Sequence, residues 1–237
     1  MEVKEFCRKK EINNISFDLY KGEILGFYGL QGSSRTELLE TVFGIRQKDS
    51  GSITVFGETQ KKASPKKSIA NGVNLITEDR KLSGLFFNMN IGENIAIAHK
   101  QKISKGAFLN SNRMRSISGE YIKWLSVKCS GAGQMAGNLS GGNQQKVVIS
   151  RCILTEPNII TLDEPTRGVD VGAKAEIYEI LRELVRQGKS IIIISSELSE
   201  VALLCNRVLV MNGGRIRGEL TDSVINEKSI LEFAFSD

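Results

Sequence analysis

The chain has 237 residues, 41% of them hydrophobic and 25% charged, and its formal net charge is +5 at pH 7. This composition is typical of an ordinary globular protein, and the length is sufficient for one sizeable domain. The apolar runs, such as Ile191–Ile194, are far shorter than the ~20 residues that a membrane-spanning helix needs. Because Met1 leads into a charged segment, we also expect no signal peptide, and therefore a soluble chain in the cytoplasm.

The cysteines and the histidine exclude several kinds of site. Cys7, Cys129, Cys152 and Cys205 lie far apart, so no pair has zinc-ligand or redox spacing, and we expect a reducing compartment. His99 is the only histidine, which excludes a histidine-based metal cluster. The mild positive charge permits nucleic acid as a partner, but the lysine-rich stretches lack interleaved aromatic residues, and we expect none.

The first part of the chain predicts an alternation of strands and helices. Ile24–Tyr28 is a short apolar run typical of a buried strand, and Thr36–Phe43 predicts a helix after a glycine-rich loop. Ser52–Phe56 alternates like a half-buried strand, and Val73–Ile76 is a further candidate strand. Strand signals then fade, and we predict a mostly helical subdomain inserted at about residues 85–150.

The α/β pattern returns after this insert. Ile159–Leu162 predicts a strand, and Ala173–Gln187 predicts an amphipathic helix that ends at Gly188. Ile191–Ile194 is fully apolar, as is typical of a parallel strand covered on both faces. The turn Asn212-Gly213-Gly214 indicates a hairpin near the end of the chain.

The string GLQGSSRT, Gly29–Thr36, lies between a predicted strand and a predicted helix. A phosphate-binding loop reads G-x-x-x-x-G-K-[ST], and its backbone N–H groups bind phosphate oxygens. Gly29 and Thr36 fit this pattern, and the Thr36 hydroxyl suits Mg²⁺. Ser34 replaces the second glycine and adds a Cβ, whereas Arg35 replaces the lysine with a longer, planar cation. The alternative is a glycine-rich turn without function.

Two further strings point to nucleotide chemistry. In IITLDEPTRGVD, an apolar strand ends in Asp163, which suits Mg²⁺, and Glu164, which suits the activation of a water molecule. An acidic turn is the alternative. In NLSGGNQQK, Ser140 and two glycines precede an apparent helix from Gln144, which predicts a second phosphate site at a helix start. A serine–glycine helix cap explains Ser140 alone.

The joint pattern of LSGGN, LDEPTRGVDVGAK, GLQGSSRTE, TEDR and IISSEL resembles the ABC ATPase family. In particular, it resembles the second ATP-binding half of ribose, galactose, xylose and autoinducer importers, over nearly the whole chain. The resemblance implies an α/β P-loop NTPase fold with a mostly parallel core sheet, an antiparallel β subdomain and an inserted helical subdomain. It also implies that two such domains enclose two ATP molecules, with Mg²⁺ as the metal.

The resemblance assigns roles to individual residues. The phosphate loop consists of Gly29, Gly32, Ser33, Ser34, Arg35 and Thr36. The signature that reaches the partner's ATP consists of Ser140, Gly141, Gly142 and Asn143. Asn143 stands where glutamine is usual. Asp163 and Thr36 are the implied Mg²⁺ ligands, Glu164 is the implied catalytic base, and Asp170 lies in a loop that crosses the dimer interface.

Three positions depart from the general family pattern. Glu78 stands where a glutamine usually faces Mg²⁺ and water, and Ser196 stands where a histidine usually touches the γ-phosphate. Phe6 is the only aromatic residue near the usual adenine platform, and a core position explains it equally well. We expect Phe17 and Tyr20 to pack from a strand.

The resemblance implies an ATPase half that powers sugar import, with a weakened phosphate loop and an intact signature. We expect it to be one half of a longer or split protein at the inner face of the membrane. The implied partners are a second ATPase half, a membrane permease and a solute-binding protein. Three alternatives stay open: a regulatory nucleotide-binding module, a non-transport ABC ATPase acting in DNA repair or translation, and a nucleoside importer.

Overall fold

A computed structural model of the chain describes residues 1–60, 62–105 and 108–235. The chain divides into two compact units. The first unit is formed by Met1–Leu75, Asn158–Pro165 and Arg182–Asp237. The second unit is formed by Ile76–Pro157 and Thr166–Leu181.

The elements follow one another along the chain much as the sequence predicts. The strands are β1 (Glu2–Arg8), β2 (Ile12–Asp18), β3 (Ile24–Gly29), β4 (Ser50–Val55), β5 (Glu58–Thr59), β6 (Val73–Ile76), β7 (Ser104–Lys105), β8 (Phe108–Leu109), β9 (Ile159–Asp163), β10 (Ser190–Ile194), β11 (Arg207–Asn212) and β12 (Arg215–Thr221). The α-helices are α1 (Arg35–Phe43), α2 (Pro65–Ala70), α3 (Ile91–Ala96), α4 (Lys100–Ile103), α5 (Ser111–Trp124), α6 (Gly141–Ile153), α7 (Val171–Arg186), α8 (Leu198–Leu204) and α9 (Glu227–Ala234).

The main sheet has the strand order β12-β11-β3-β10-β9-β6. Strand β3 pairs in parallel with β10 and β11, β10 pairs in parallel with β9, and β12 is antiparallel to β11. Every residue of β3, β9 and β10 is buried, which explains why these strands read as continuous apolar runs. Because parallel strands end at one edge, the segments after β3, β9 and β10 meet there.

A smaller antiparallel sheet of the first unit has the order β2-β1-β4-β5. Its Phe6 and Phe17 are buried, and the Phe17 ring packs edge-to-face on Phe27 of β3, with 5.0 Å between the ring centroids. Tyr20 was expected to pack from a strand, and this prediction is wrong. Strand β2 ends before it, and 59% of Tyr20 is exposed, with Arg207 over its ring.

The second unit is mostly helical, with α3 packed against α5 and α6 and a small hairpin of β7 and β8. Helix α6 begins at Gly141, three residues before the predicted start at Gln144. The Lys146 side chain is only 1% exposed, and it is held by Glu176 and by the Ser126 carbonyl oxygen. Among the described residues, no helix combines the length and the hydropathy needed to cross a membrane.

The four cysteines form no disulfide and lie in two different environments. Cys152 and Cys205 are buried, whereas Cys7 and Cys129 are partly exposed. Burial raises the pKa of the Cys152 thiol to about 12 and raises that of the Cys205 thiol as well.

Candidate nucleotide-binding site

The loop between β3 and α1 has the backbone conformation that glycine favours, although one glycine is missing. Gly32 has φ of +83°, and Ser34 has φ of 69° and ψ of 27°, so both residues are left-handed. This conformation costs a non-glycine residue about 1–2 kcal/mol. The Ser34 hydroxyl makes no capping hydrogen bond to α1. The first amides of α1 therefore stay available to an anion.

Gly29, at the start of this loop, is fixed by packing. A Cβ on Gly29 would lie 2.4 Å from the carbonyl oxygen of Met211 and 2.5 Å from Oγ of Ser33. Ser33 is itself only 3% exposed, and its Oγ has no hydrogen-bond partner. The loop thus combines a close backbone approach with an unpaired hydroxyl, as a site completed by a bound ligand would.

Thr36 and Asp163 lie side by side at the carboxyl edge of the sheet. The Asp163 carboxylate is hydrogen-bonded to the Thr36 side chain, whereas its Oδ1 atom is buried without a partner. Burial raises the pKa of Asp163 to about 6, and the hydrogen bond from Thr36 opposes this shift. A hydroxyl beside a carboxylate with an unused oxygen is a donor set that suits Mg²⁺.

Glu164 follows Asp163 and has a strained backbone with φ of 48°. Its N–H donates to the carbonyl oxygen of Ile194, with 2.9 Å between nitrogen and oxygen. The Ser196 hydroxyl donates to Oε2 of Glu164 over 3.1 Å. The turns after β9 and β10 therefore present this carboxylate and this hydroxyl together.

Arg35 folds back toward the same carboxylate. Its Nη1 donates to the carbonyl oxygen of Ser195 over 2.7 Å and lies 3.9 Å from Oε1 of Glu164. Only 11% of the Arg35 side chain is exposed. Burial lowers the pKa of the guanidinium, and Glu164 and Asp163 oppose this shift. Arg35 is thus tied to the residues after β9 and β10.

The signature residues lie at the start of α6 in the second unit. The Ser140 hydroxyl does not cap the helix but accepts from Nδ2 of Asn143 over 2.8 Å. Oδ1 of Asn143 in turn accepts from the backbone N–H of Lys128, also over 2.8 Å. A Cβ on Gly142 would lie 2.3 Å from Cβ of Ala173, so this glycine is required by packing.

The remaining candidate residues also belong to the second unit. Glu78 forms an ion pair with Arg167. Oδ1 of Asp170 accepts from the N–H of Ala173 over 3.0 Å and so caps the start of α7. The first unit therefore assembles the phosphate loop, Asp163, Glu164 and Ser196, whereas the second unit assembles the signature, Glu78 and Asp170.

Sequence reasoning missed a role for Arg80. Its Nη1 donates to the carbonyl oxygen of Gly141 over 2.7 Å, across 61 residues of sequence. The string TEDR contains this arginine, but no spacing rule connects it to the signature. The position of Phe6 in the core leaves it unavailable as an adenine platform.

Known proteins share both the sequence and the fold. Residues 12–167 match the family model described as ABC transporter. A putative ribose/galactose/methyl galactoside import ATP-binding protein of Halalkalibacterium halodurans is 43% identical over 234 residues, which are 99% of this chain and 45% of that protein. The galactose/methyl galactoside import ATP-binding protein MglA of Salmonella typhimurium is 44% identical over 237 residues, 99% of this chain and 47% of that protein. The chain thus spans about half the length of these relatives.

Solved structures confirm the predicted P-loop NTPase fold. A nucleotide-free ATP-binding cassette from an ABC transporter superposes with a TM-score of 0.83 at 20% identity, covering 100% of this chain and 98% of that chain. The dimeric structure of a bacterial ABC transporter cassette has a TM-score of 0.77 at 20% identity, covering 93% and 97%. With its phosphate loop, paired carboxylates and signature string, the chain belongs to the ABC transporter family of ATPases.

Proposed function

We propose that the chain is the second ATP-binding half of a bacterial sugar importer and that ATP hydrolysis in the assembled pair of halves drives import. The observation that carries this proposal is the grouping of Thr36, Asp163, Glu164 and Ser196 at the end of a phosphate loop. The names of the relatives, which describe import of ribose and galactose, support the sugar class.

Nucleotide binding is assigned to the loop from Gly29 to Thr36. The amides of this loop and of the α1 start would bind the phosphates of ATP, with Gly32, Ser33, Ser34 and Arg35 forming the wall. Thr36 and Asp163 would hold Mg²⁺, which supplies charge neutralisation at the phosphates. The unpaired Oδ1 of Asp163 supports this assignment.

The chain's own site is proposed to turn ATP over slowly. Glu164 would orient or deprotonate the attacking water, but the Arg35 cation lies 3.9 Å from it and competes for the carboxylate. Ser196 bonds Glu164 but lacks the positive charge that a histidine provides. Ser34 adds backbone strain to the loop.

The signature is proposed to act on the ATP held by the other half. Gly141 and Gly142 would present backbone N–H groups at a helix start to the γ-phosphate, and the Ser140 hydroxyl would add a donor. The hydrogen bonds among Ser140, Asn143 and Lys128 support a preformed arrangement. Asp170 would lie at the interface of the two halves.

Transport further requires partners outside this chain. We place the helical subdomain of about residues 85–150 and the Glu78 loop against a membrane permease at the inner face of the membrane. Glu78 would face Mg²⁺ and water when the halves close. A solute-binding protein would supply the sugar, and its specificity sets which sugar is imported.

The test is ATP hydrolysis coupled to sugar uptake by the assembled transporter, reconstituted in vesicles. Ser140→Ala should lower coupled hydrolysis strongly, whereas Glu164→Gln in this half should lower it much less. Thr77→Ser, next to the Glu78 loop, serves as a matched conservative control. Coupled hydrolysis that is untouched by Ser140→Ala would remove the basis of the proposal.

The contact of Arg35 with Ser195 and Glu164 favours a second candidate function, a regulatory module that binds nucleotide without hydrolysing it. Mg-ATP binding and turnover by the chain alone separate the two candidates. Slow turnover that rises in the Ser34→Gly/Arg35→Lys variant supports a weakened ATPase. Tight binding with no turnover in either form supports the module.

A further inference from the structure

Arg80 lies at a junction that none of the assigned roles uses. It begins a short π-helical turn, Arg80–Gly84, directly after Asp79. Oδ1 of Asp79 accepts from the N–H groups of Lys81 and Leu82 over 2.8 and 3.0 Å, which fixes the start of this turn. The arginine is therefore anchored through its backbone and is free to reach outward with its side chain.

The guanidinium of Arg80 reaches the first turn of α6. Its Nη1 donates to the Gly141 carbonyl oxygen over 2.7 Å, and burial lowers the pKa of the group. Gly141 and Gly142 have no side chains that could fix this turn, and glycine is the most flexible residue of a helix. The Ser140 hydroxyl is engaged with Asn143 and makes no cap. Arg80 thus supplies the side-chain contact to the Gly141 backbone.

The same guanidinium also borders the turn that follows Arg167. Its Nη2 lies 3.4 Å from the place that a Cβ on Gly168 would take, and Gly168 has φ of +68°. The Gly168 carbonyl oxygen lies 3.0 Å from the corresponding place on Gly141. The ion pair of Glu78 with Arg167 is a second contact between the segment that contains Arg80 and the turn at Gly168. Three segments of the second unit therefore meet at Arg80.

We infer that Arg80 is a positioning residue that holds the signature backbone in register with the Glu78–Asp79 segment and with the turn at Gly168. This inference rests on the proposed function, because it concerns how the signature is presented to the ATP of the other half. A displacement of the Glu78–Asp79 segment would move Arg80, and Arg80 would move the Gly141 carbonyl. A lysine cannot replace it fully, since a single ammonium lacks the planar fork that spans two segments.

Arg151 offers a matched control within the same unit. It is also an arginine whose pKa is lowered by burial, and its Nη2 also donates to a backbone carbonyl oxygen, that of Gly84. Its guanidinium lies 5.9 Å from the centre of the Phe86 ring. Arg151→Ala thus removes a similar arginine–carbonyl contact, which joins the last turn of α6 to Gly84 at the end of the Arg80–Gly84 turn, and it keeps the arginine that bonds Gly141.

The first measurement is amide hydrogen exchange of the nucleotide-free chain, which needs no turnover. Arg80→Ala should raise the exchange rate of the amides at 144–146, the first that bond within α6, about tenfold, the loss expected for one charged hydrogen bond. Arg80→Lys should raise it less, and Arg151→Ala should leave it unchanged. Unchanged exchange at 144–146 in Arg80→Ala, or an equal rise throughout residues 76–157, would overturn the inference.

The second measurement is coupled hydrolysis by the assembled transporter. Arg80→Ala should lower kcat and leave KM for ATP nearly unchanged, with Arg80→Lys recovering part of the loss. If Ser140→Ala lowers kcat but Arg80→Ala does not, the inference is wrong and the proposed function stands. If neither variant lowers kcat, the proposed function itself fails, and the inference fails with it.

Discussion

The phosphate-loop region of the first unit and the signature region of the second unit are built in opposite ways. In the phosphate-loop region, Ser34 and Glu164 have left-handed backbones, and buried oxygen atoms of Ser33 and Asp163 lack hydrogen-bond partners. Both features cost stability in the absence of a ligand. These are the features expected of a region whose polar groups bind a ligand.

The signature region is stabilised by the protein itself. Ser140 and Asn143 bond to each other, Arg80 bonds to Gly141, and Asp170 caps α7. Among the described residues of the second unit, no buried side-chain nitrogen or oxygen lacks a partner. We therefore expect the two regions to respond differently to substitution. Substitutions in the phosphate-loop region should act through backbone strain and ligand binding, and those in the signature region through packing and internal hydrogen bonds.

The largest expected effect comes from a substitution in the phosphate-loop region. Gly29→Ala should lower the free energy of unfolding by about 3 kcal/mol, because its Cβ would meet the Met211 carbonyl oxygen at 2.4 Å, and a backbone atom cannot rotate away. It should also abolish Mg-ATP binding. Gly32→Ala has open space around its Cβ and should lose only ~1 kcal/mol, through strain. Urea unfolding measures both; equal losses would contradict this account.

The next effect is a pH dependence that arises at Asp163, in the phosphate-loop region. The folded pKa of Asp163 is raised from 3.8 to about 6, so the folded state binds the proton more tightly than the unfolded state. The free energy of unfolding should therefore fall by roughly 3 kcal/mol as pH rises from about 4 to about 6, and then level off.

Asp163→Asn should remove this fall in the free energy of unfolding. The free energies of unfolding of the variant and the parent should therefore differ more above about pH 6 than below about pH 4. Asp170→Asn, at an exposed capping carboxylate, is the control that should leave the slope in place. Thermal unfolding across pH 4 to 8, with and without Mg-ATP, provides the measurement. A slope that persists in Asp163→Asn would assign it to another carboxylate.

A smaller effect tests the packing of the signature side. Gly142→Ala should lower the free energy of unfolding by about 2 kcal/mol, since its Cβ would lie 2.3 Å from Cβ of Ala173 and α6 must shift. Nucleotide affinity at the chain's own phosphate loop should stay unchanged, because the substitution lies in the other unit. Calorimetry with Mg-ATP tests this separation, and a tenfold weaker affinity would argue against it.

The smallest expected effect comes from relieving the backbone strain at Ser34 in the phosphate-loop region. Ser34→Gly should raise the free energy of unfolding by up to ~1 kcal/mol, since glycine adopts the left-handed conformation without the cost that serine bears. Mg-ATP binding should tighten severalfold at the same time. Ser52→Gly, in strand β4, has no such strain to relieve and should destabilise the chain. A loss of stability in Ser34→Gly would show that the serine side chain supports the loop.

The sequence predicts the framework of the site because that framework is local. The apolar runs of β3, β9 and β10 carry their own periodicity, and parallel strands bring their ends to one edge, so the grouping of Thr36 with Asp163 follows. The direction of long side chains does not follow, because tertiary contacts set it. Arg35 reaches Ser195 across 160 residues, and Arg80 reaches Gly141 across 61.

One local prediction, the start of α6, and one alternative, a serine cap at Ser140, failed for physical reasons as well. The start of α6 was placed three residues late because two successive glycines have low helix propensity, although packing against Ala173 requires one of them. The Ser140 hydroxyl fits the preference for serine at a helix start, but Asn143 lies within reach and takes the hydroxyl instead.

The distribution of the thiols allows the opening of each unit to be followed by chemical labelling of the chain's own cysteines. Each unit has one buried thiol and one partly exposed thiol. In the first unit Cys205 is buried and Cys7 is partly exposed, and in the second unit Cys152 is buried and Cys129 is partly exposed. The thiolate is the reactive form of cysteine, and burial suppresses its formation. The rate at which a buried thiol is alkylated therefore reports how often its own unit opens. Mass spectrometry of an alkylated, working transporter would therefore time the opening of the two units separately, without any engineered label.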